Sequence, residues 1–242
     1  MTKLARRVAN AHHAGMTATP STPRATWLFL AALLVGASYC LVGQHTIVTA
    51  PVIAWKAAAV ALLAIWAALN ARGRDGWLIA IILALGALGD ATIERNQVVG
   101  AIPFLAGHIV AIVLYLHHRR SARVPSQTAL ALLLLVATPV IAFLLPAERA
   151  IAPGIAIYAL GLGAMAASAW ASRFPRYRVG IGAVLFVASD LLIFARMGPL
   201  AGSILPYLLI MPLYLAGQAL IAWGVVTTLL RWKDDEDLHH RL

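Results

Sequence analysis

Asp90, Glu94 and Asp190 are the only acidic residues that this chain places in or at the edge of its long apolar segments. Its other acids, Asp75, Glu148 and the run from Asp234 to Asp237, fall in short polar connections or near the C-terminus. A charged side chain at a bilayer centre costs roughly 2.5 to 3.5 kcal/mol on insertion scales, so such groups are seldom kept without a task. Two carboxyls held away from water can divide acid and base work between them. Lys56, His108 and Gln218 lie in neighbouring apolar segments and add a cation, a proton carrier and an amide.

The elements that must carry these groups follow from composition. Hydrophobic residues make up 62% of the chain and charged residues 12%, about half the charged share usual in soluble domains. A hydrocarbon core of about 30 Å takes about 20 apolar residues per helix. Eight segments qualify, at about 26–43, 51–70, 77–93, 98–117, 126–145, 151–172, 178–196 and 204–230. Backbone polar groups in lipid must be satisfied within each segment. The sequence therefore predicts an all-α polytopic bundle of eight transmembrane helices over 26–230. A polar, disordered tail precedes it over 1–25, and a charged tail follows over 231–242.

A formal net charge of +10 raises the question of nucleic acid, which the distribution of charge answers. With the N-terminus inside, the inner segments hold fifteen Lys and Arg residues, from Lys3 to Arg241. The outer ones hold three, Arg95, Arg149 and Arg196, and Lys56 lies within a span. That asymmetry is a positive-inside signal, so a multi-pass protein of the cell membrane with both termini cytoplasmic is expected, and no nucleic-acid partner. Trp27, Trp55, Trp77, Trp170, Trp223 and Trp232 lie toward span ends and read as interfacial belts.

This orientation sets depth. Asp90 and Asp190 fall twelve or thirteen residues into outward-running spans, and Lys56 five residues after Pro51 in an inward-running one, all in the outer half. His108 and Gln218 lie roughly 17 Å deep, near the midplane. A polar pocket open to the outside is expected, with His108 and Gln218 at its floor. Glu94 is one helical turn beyond Asp90 on the same face, at the outer interface and largely solvated. The stretch Phe104-Leu105-Ala106-Gly107-His108 echoes Tyr214-Leu215-Ala216-Gly217-Gln218, and Gly89-Asp90 echoes Ser189-Asp190. Two parallel four-helix repeats about an axis along the membrane normal would produce this.

Other chemistries lack their residues. One intramembrane histidine cannot supply the three protein ligands of a catalytic zinc. No Gly-x-Ser-x-Gly elbow and no phosphate or dinucleotide fingerprint occurs. Cys40 is the only cysteine, so no intramolecular disulfide forms. A purely structural clasp also fits the polar residues, because interhelical hydrogen bonds in membranes average about 0.6 kcal/mol.

Gly89-Asp90, Phe104-x-x-Gly107-His108, Gly182-Ala183-x-Leu185-Phe186-x-x-Ser189-Asp190 and Tyr214-x-Ala216-Gly217-Gln218, in this order on these spans, resemble the YhhN-type lysoplasmalogenases. The resemblance covers about residues 51–230, and departs from the family pattern at Ala57 and Ala111. It implies an eight-span hydrolase that cleaves the vinyl ether of a lyso-ether phospholipid, giving a fatty aldehyde and a glycerophospho-alcohol. That reaction needs no metal and no organic cofactor: an acid protonates the β-carbon, and water captures the oxocarbenium ion. Asp90 and Asp190, with His108 orienting water or a carboxyl, are the expected catalytic residues. Lys56, Gln218, Tyr214 and Glu94 are the expected substrate-binding residues. The reading from another class is a proton-coupled transporter or lipid carrier, in which the same acids form a proton relay.

Overall fold

The computed structural model describes residues 22–122 and 124–240. Residues 1–21 of the expected N-terminal tail lie outside them. Eight α-helices follow one another among the described residues: α1 Thr26–Leu41, α2 Ala50–Leu69, α3 Gly73–Ile93, α4 Gln97–His117, α5 Pro125–Leu144, α6 Ala152–Ala171, α7 Ile181–Arg196 and α8 Ile204–His239. A π-helical turn, Arg176–Gly180, leads into α7. No β-strand occurs among the described residues; an isolated bridge joins Arg119 to Ser172. The all-α polytopic architecture is thus as the hydropathy pattern predicts. Seven of these helices, α7 taken together with its π-helical turn, are long and apolar enough to cross a membrane, and α1 is a shorter apolar helix.

Local chemistry sets the helix starts. Proline occupies the first turn of α2, α5 and α6, where its missing N–H costs nothing. Asn96 caps α4 by accepting from the Val99 N–H, and Ser203 caps α8 by accepting from Leu205.

Helix α8 runs 36 residues, about 54 Å at 1.5 Å per residue and well beyond a hydrocarbon core of about 30 Å. Residues 231–239 of the expected charged tail continue this helix. Trp232 stacks on Phe174 with ring centroids 5.2 Å apart, and Asp234 pairs with Arg72 at 2.9 Å. The tryptophans divide likewise: Trp27 and Trp77 are exposed as belt residues should be, whereas Trp223 stacks on Trp66 at 5.6 Å inside the bundle.

Helices α3 and α4 pack as α7 and α8 do. A side chain on Gly107 would meet the Ile82 carbonyl and the Leu85 side chain at 3.5 Å. One on Gly217 would meet the Gly182 carbonyl at 2.8 Å and the Leu185 side chain at 3.6 Å. These partners are offset by 100 positions between α3 and α7 and by 110 between α4 and α8, the same offsets that relate Asp90 to Asp190 and His108 to Gln218. The echo in sequence is an echo in packing.

Candidate active site

A cavity of about 620 Å³ opens at the end of the bundle formed by the α1–α2, α3–α4, α5–α6 and α7–α8 connections. Lys56 of α2, Asp90 and Glu94 of α3, Tyr158 of α6, Asp190 of α7 and Tyr214 of α8 all line it. Every helix but α5 contributes a wall.

Glycines in α3 let its partners reach Asp90. A methyl group on Gly89 would lie 2.6 Å from the Phe104 ring, so α4 presses that ring onto the helix directly beside the carboxyl. Gly86 sits one turn before Asp90, and a methyl there would come within 3.0 Å of the Gln218 amide and 3.6 Å of the Tyr214 hydroxyl. Across that gap the Tyr214 hydroxyl donates to Asp90 Oδ2 at 2.7 Å, while Gln218 Nε2 donates to the Tyr214 oxygen at 3.4 Å.

Asp190 has a matching arrangement built from other helices. The Tyr158 hydroxyl donates to Asp190 Oδ2 at 2.7 Å. Its proton being committed there, the Tyr158 oxygen accepts from His108 Nε2 at 3.3 Å, which assigns the proton of a neutral ring to that nitrogen. Ser189 donates to the Ile210 carbonyl at 2.9 Å and ties α7 to α8 beside the carboxyl. Both aspartates are buried, at 2% and 6% exposure, yet both face the same cavity.

Lys56 bonds Glu94, its Nζ lying 2.5 Å from Oε1, and neither aspartate. Glu94, at the end of α3, is exposed overall as expected of an interfacial acid, and its carboxylate is held in that pair at the cavity wall. One expectation changes. His108 and Gln218 do not form the open floor. Phe104, Phe186 and Tyr214, in edge-on contacts at 5.3 to 6.3 Å, lie above them. Beneath these rings His108 and Gln218 share a separate void of about 20 Å³ with Tyr115. They reach the carboxyls only through Tyr158 and Tyr214.

Among the described residues, one group of histidine and carboxyl donors is close enough to share a cation: Asp75, His117 and His118. It lies at the opposite end of the bundle, where His118 Nε2 is 2.7 Å from Asp75 Oδ2. The cavity brings together carboxyls, tyrosine hydroxyls and the Lys56 ammonium instead.

The family model of the YhhN family matches residues 51–225. This chain belongs to the YhhN family. The matched stretch takes in Lys56, Asp90, Glu94, His108, Tyr158, Asp190, Tyr214 and Gln218, and leaves α1 outside. YhhN proteins are the lysoplasmalogenase family, and membership supports a lysoplasmalogenase-type function. No curated protein matches. No solved structure matches either.

Tyr158 is the residue of this YhhN cavity that sequence reasoning missed. Its signal was a phenol seven residues into an apolar span, too deep for an interfacial belt and in need of a buried partner. Tyr158→Phe should lower turnover by about tenfold or more while leaving the bundle folded, because it removes the hydrogen bond to Asp190 and the one accepted from His108. The measurement is kcat together with the thermal unfolding midpoint. An unchanged kcat would remove Tyr158 from the site, and a collapsed midpoint would make it structural.

Proposed function

We propose that this chain hydrolyses the vinyl ether of a lyso-ether phospholipid, giving a fatty aldehyde and a glycerophospho-alcohol, with Asp90 and Asp190 as the acid–base pair. The observation that carries the reading is two buried carboxyls, each held by one tyrosine hydroxyl, facing a single cavity whose wall bears an ion pair.

The chemistry asks for what these residues offer. One aspartate in its acid form gives a proton to the β-carbon of the vinyl ether. Positive charge then spreads over the α-carbon and the ether oxygen, and the other aspartate, ionised, steadies it. Water adds to the α-carbon and gives its proton to that carboxylate. The hemiacetal then collapses: its hydroxyl gives a proton to the first carboxylate, the second carboxyl gives its proton to the glycerol oxygen as that bond breaks, and the aldehyde leaves with both carboxyls back in their starting states. Two carboxyls share acid and base roles in the same way in glycoside hydrolysis. They titrate as a pair, so neither role is assigned to one residue. His108 and Gln218 act as positioning residues, because each holds the tyrosine that holds a carboxyl. Lys56, paired with Glu94 at the cavity wall, would meet the lipid phosphate as a point charge.

The deciding experiment is aldehyde release from a lysoplasmalogen by purified protein in detergent, repeated after exhaustive chelation. Release of aldehyde and glycerophospho-alcohol in equal amounts, unchanged by chelator, is expected. Substrate uptake into vesicles without cleavage would favour the transporter, and activity restored only by a divalent metal would overturn the acid–base mechanism.

The cavity end of the bundle is assigned to the non-cytoplasmic side from the charge asymmetry. A cysteine in the α7–α8 connection reports on this. Gly198 is the wrong place for it, since a side chain there would run into the Leu145 carbonyl; Gly202 meets nothing within 4 Å. Gly202→Cys in a Cys40→Ala background should react with an impermeant thiol reagent in intact cells. Reaction only after lysis would invert the topology.

A further inference from the structure

With the reactive bond between the two aspartates and the phosphate toward Lys56, the alkyl chain of the substrate still has to leave the cavity somewhere. A path downward past His108 and Gln218 is closed by the rings of Phe104 and Phe186 and by the smallness of the void beneath them. The chain must exit sideways.

One side is built for it. Helix α6 presents Ile151, Gly154, Ile155 and Tyr158 to the cavity, the i, i+3, i+4, i+7 spacing of a single helix face. Facing it across the cavity, α4 presents Val98 and Ala101. Two glycines of α6, seven residues apart, show how the helices diverge. A methyl on Gly161 would strike Leu105 of α4 at 2.5 Å, whereas one on Gly154 meets nothing within 4 Å. The helices therefore touch near Gly161, are pinned there by the His108–Tyr158 hydrogen bond, and open toward the cavity end. The α4–α6 side of the cavity, a largely apolar cleft, thus runs from Tyr158, which bonds Asp190, to the first turn of α4, where Val98 is 75% exposed.

We propose that this α4–α6 cleft seats the alkyl chain of the substrate and that Gly154 sets how much chain it accepts. The proposal rests on the lyso-ether hydrolase reading for its substrate. Its occupant is argued from continuity, because the cleft is one space with the cavity that holds the carboxyls. Gly154 lies within the first turn of α6 and does not need a left-handed backbone. Larger residues therefore fit its conformation and raise helix propensity, so a variant tests the space and not the fold.

The test compares Gly154→Ala and Gly154→Phe with the parent on two vinyl-ether lysolipids that share a head group, one long-chain and one short. Each buried methylene is worth roughly fourfold in affinity, and a phenyl ring displaces about three of them. Gly154→Phe should lower kcat/KM for the long chain by about fiftyfold and leave the short chain within about twofold; Gly154→Ala should fall between. Equal loss on both chains, or no loss on either, overturns the proposal. A second readout does not need catalysis: a saturated lyso-ether phospholipid with a photoreactive group at the chain terminus should label peptides of α4 and α6 in the parent and not in Gly154→Phe. Labelling elsewhere, or labelling that Gly154→Phe leaves intact, overturns it equally. If the parent cleaves neither lipid, the hydrolase reading falls, and labelling alone decides whether the cleft holds a chain.

Discussion

Asp90→Asn and Asp190→Asn should each cut turnover by about 10² to 10⁴, and both proteins should insert and purify as the parent does. An amide keeps the size of the carboxyl and an oxygen for the tyrosine proton, so the 2.7 Å bonds from Tyr214 and Tyr158 need not break. What disappears is the exchangeable proton. The double variant should be barely worse than either single one, since groups acting as a unit lose their whole effect with the first removal. Steady-state kinetics and thermal unfolding, run side by side, separate this outcome from a structural clasp. Near-parental activity in either variant excludes that aspartate from the chemistry, and unfolding of either supports the clasp instead.

Lys56→Met should raise KM for a phosphate-bearing lyso-ether lipid by about 30-fold or more, with kcat much less affected. A hydrogen bond to a charged group is worth about 1.5 to 3 kcal/mol, and losing the one from Lys56 to the phosphate also leaves an unpaired charge behind. Here the charge left behind is Glu94, 2.5 Å from the lysine nitrogen, and it would repel an incoming phosphate. The control is an alkenyl glycerol that lacks the phosphate. If Lys56 recognises phosphate, the variant handles that compound nearly as well as the parent does. Equal loss on both compounds would reduce Lys56 to a structural partner of Glu94.

What could be read from the chain follows physical lines. Asp90 and Asp190 stand out because charge inside an apolar run is costly, and that cost is visible in one dimension. That they share a cavity was legible from depth alone. The partner of Lys56 was not. Choosing between Asp90 and Glu94, one turn apart on α3, depends on how α2 is rotated and translated against α3, which hydropathy does not encode. The aromatic layer above His108 escaped notice for a related reason: Phe104 and Phe186 are unremarkable apolar residues until two helices bring them edge to edge at 6.3 Å. Hydropathy also ended α8 too soon. Its last turns are held by Trp232 on Phe174 and by the Arg72–Asp234 and Lys233–Glu236 pairs, which a scale of apolar character counts against a helix.

The common register of the two helix pairs bears on ancestry. When α3 packs on α4 as α7 packs on α8, and an aspartate falls at the matching turn of each, one forerunner position accounts for both carboxyls. A four-helix unit, associating with a copy of itself around a shared hollow, would have held two identical acids related by a dyad. Identical acids in identical surroundings can share one proton but are equivalent donors. Fusion into one chain would remove that equivalence, and the matched positions now differ: Gly86 against Phe186, Phe104 against Tyr214, His108 against Gln218. Each of these differences borders a carboxyl or the tyrosine that holds it. Division of labour between donor and acceptor of the proton is, on this view, a product of broken symmetry.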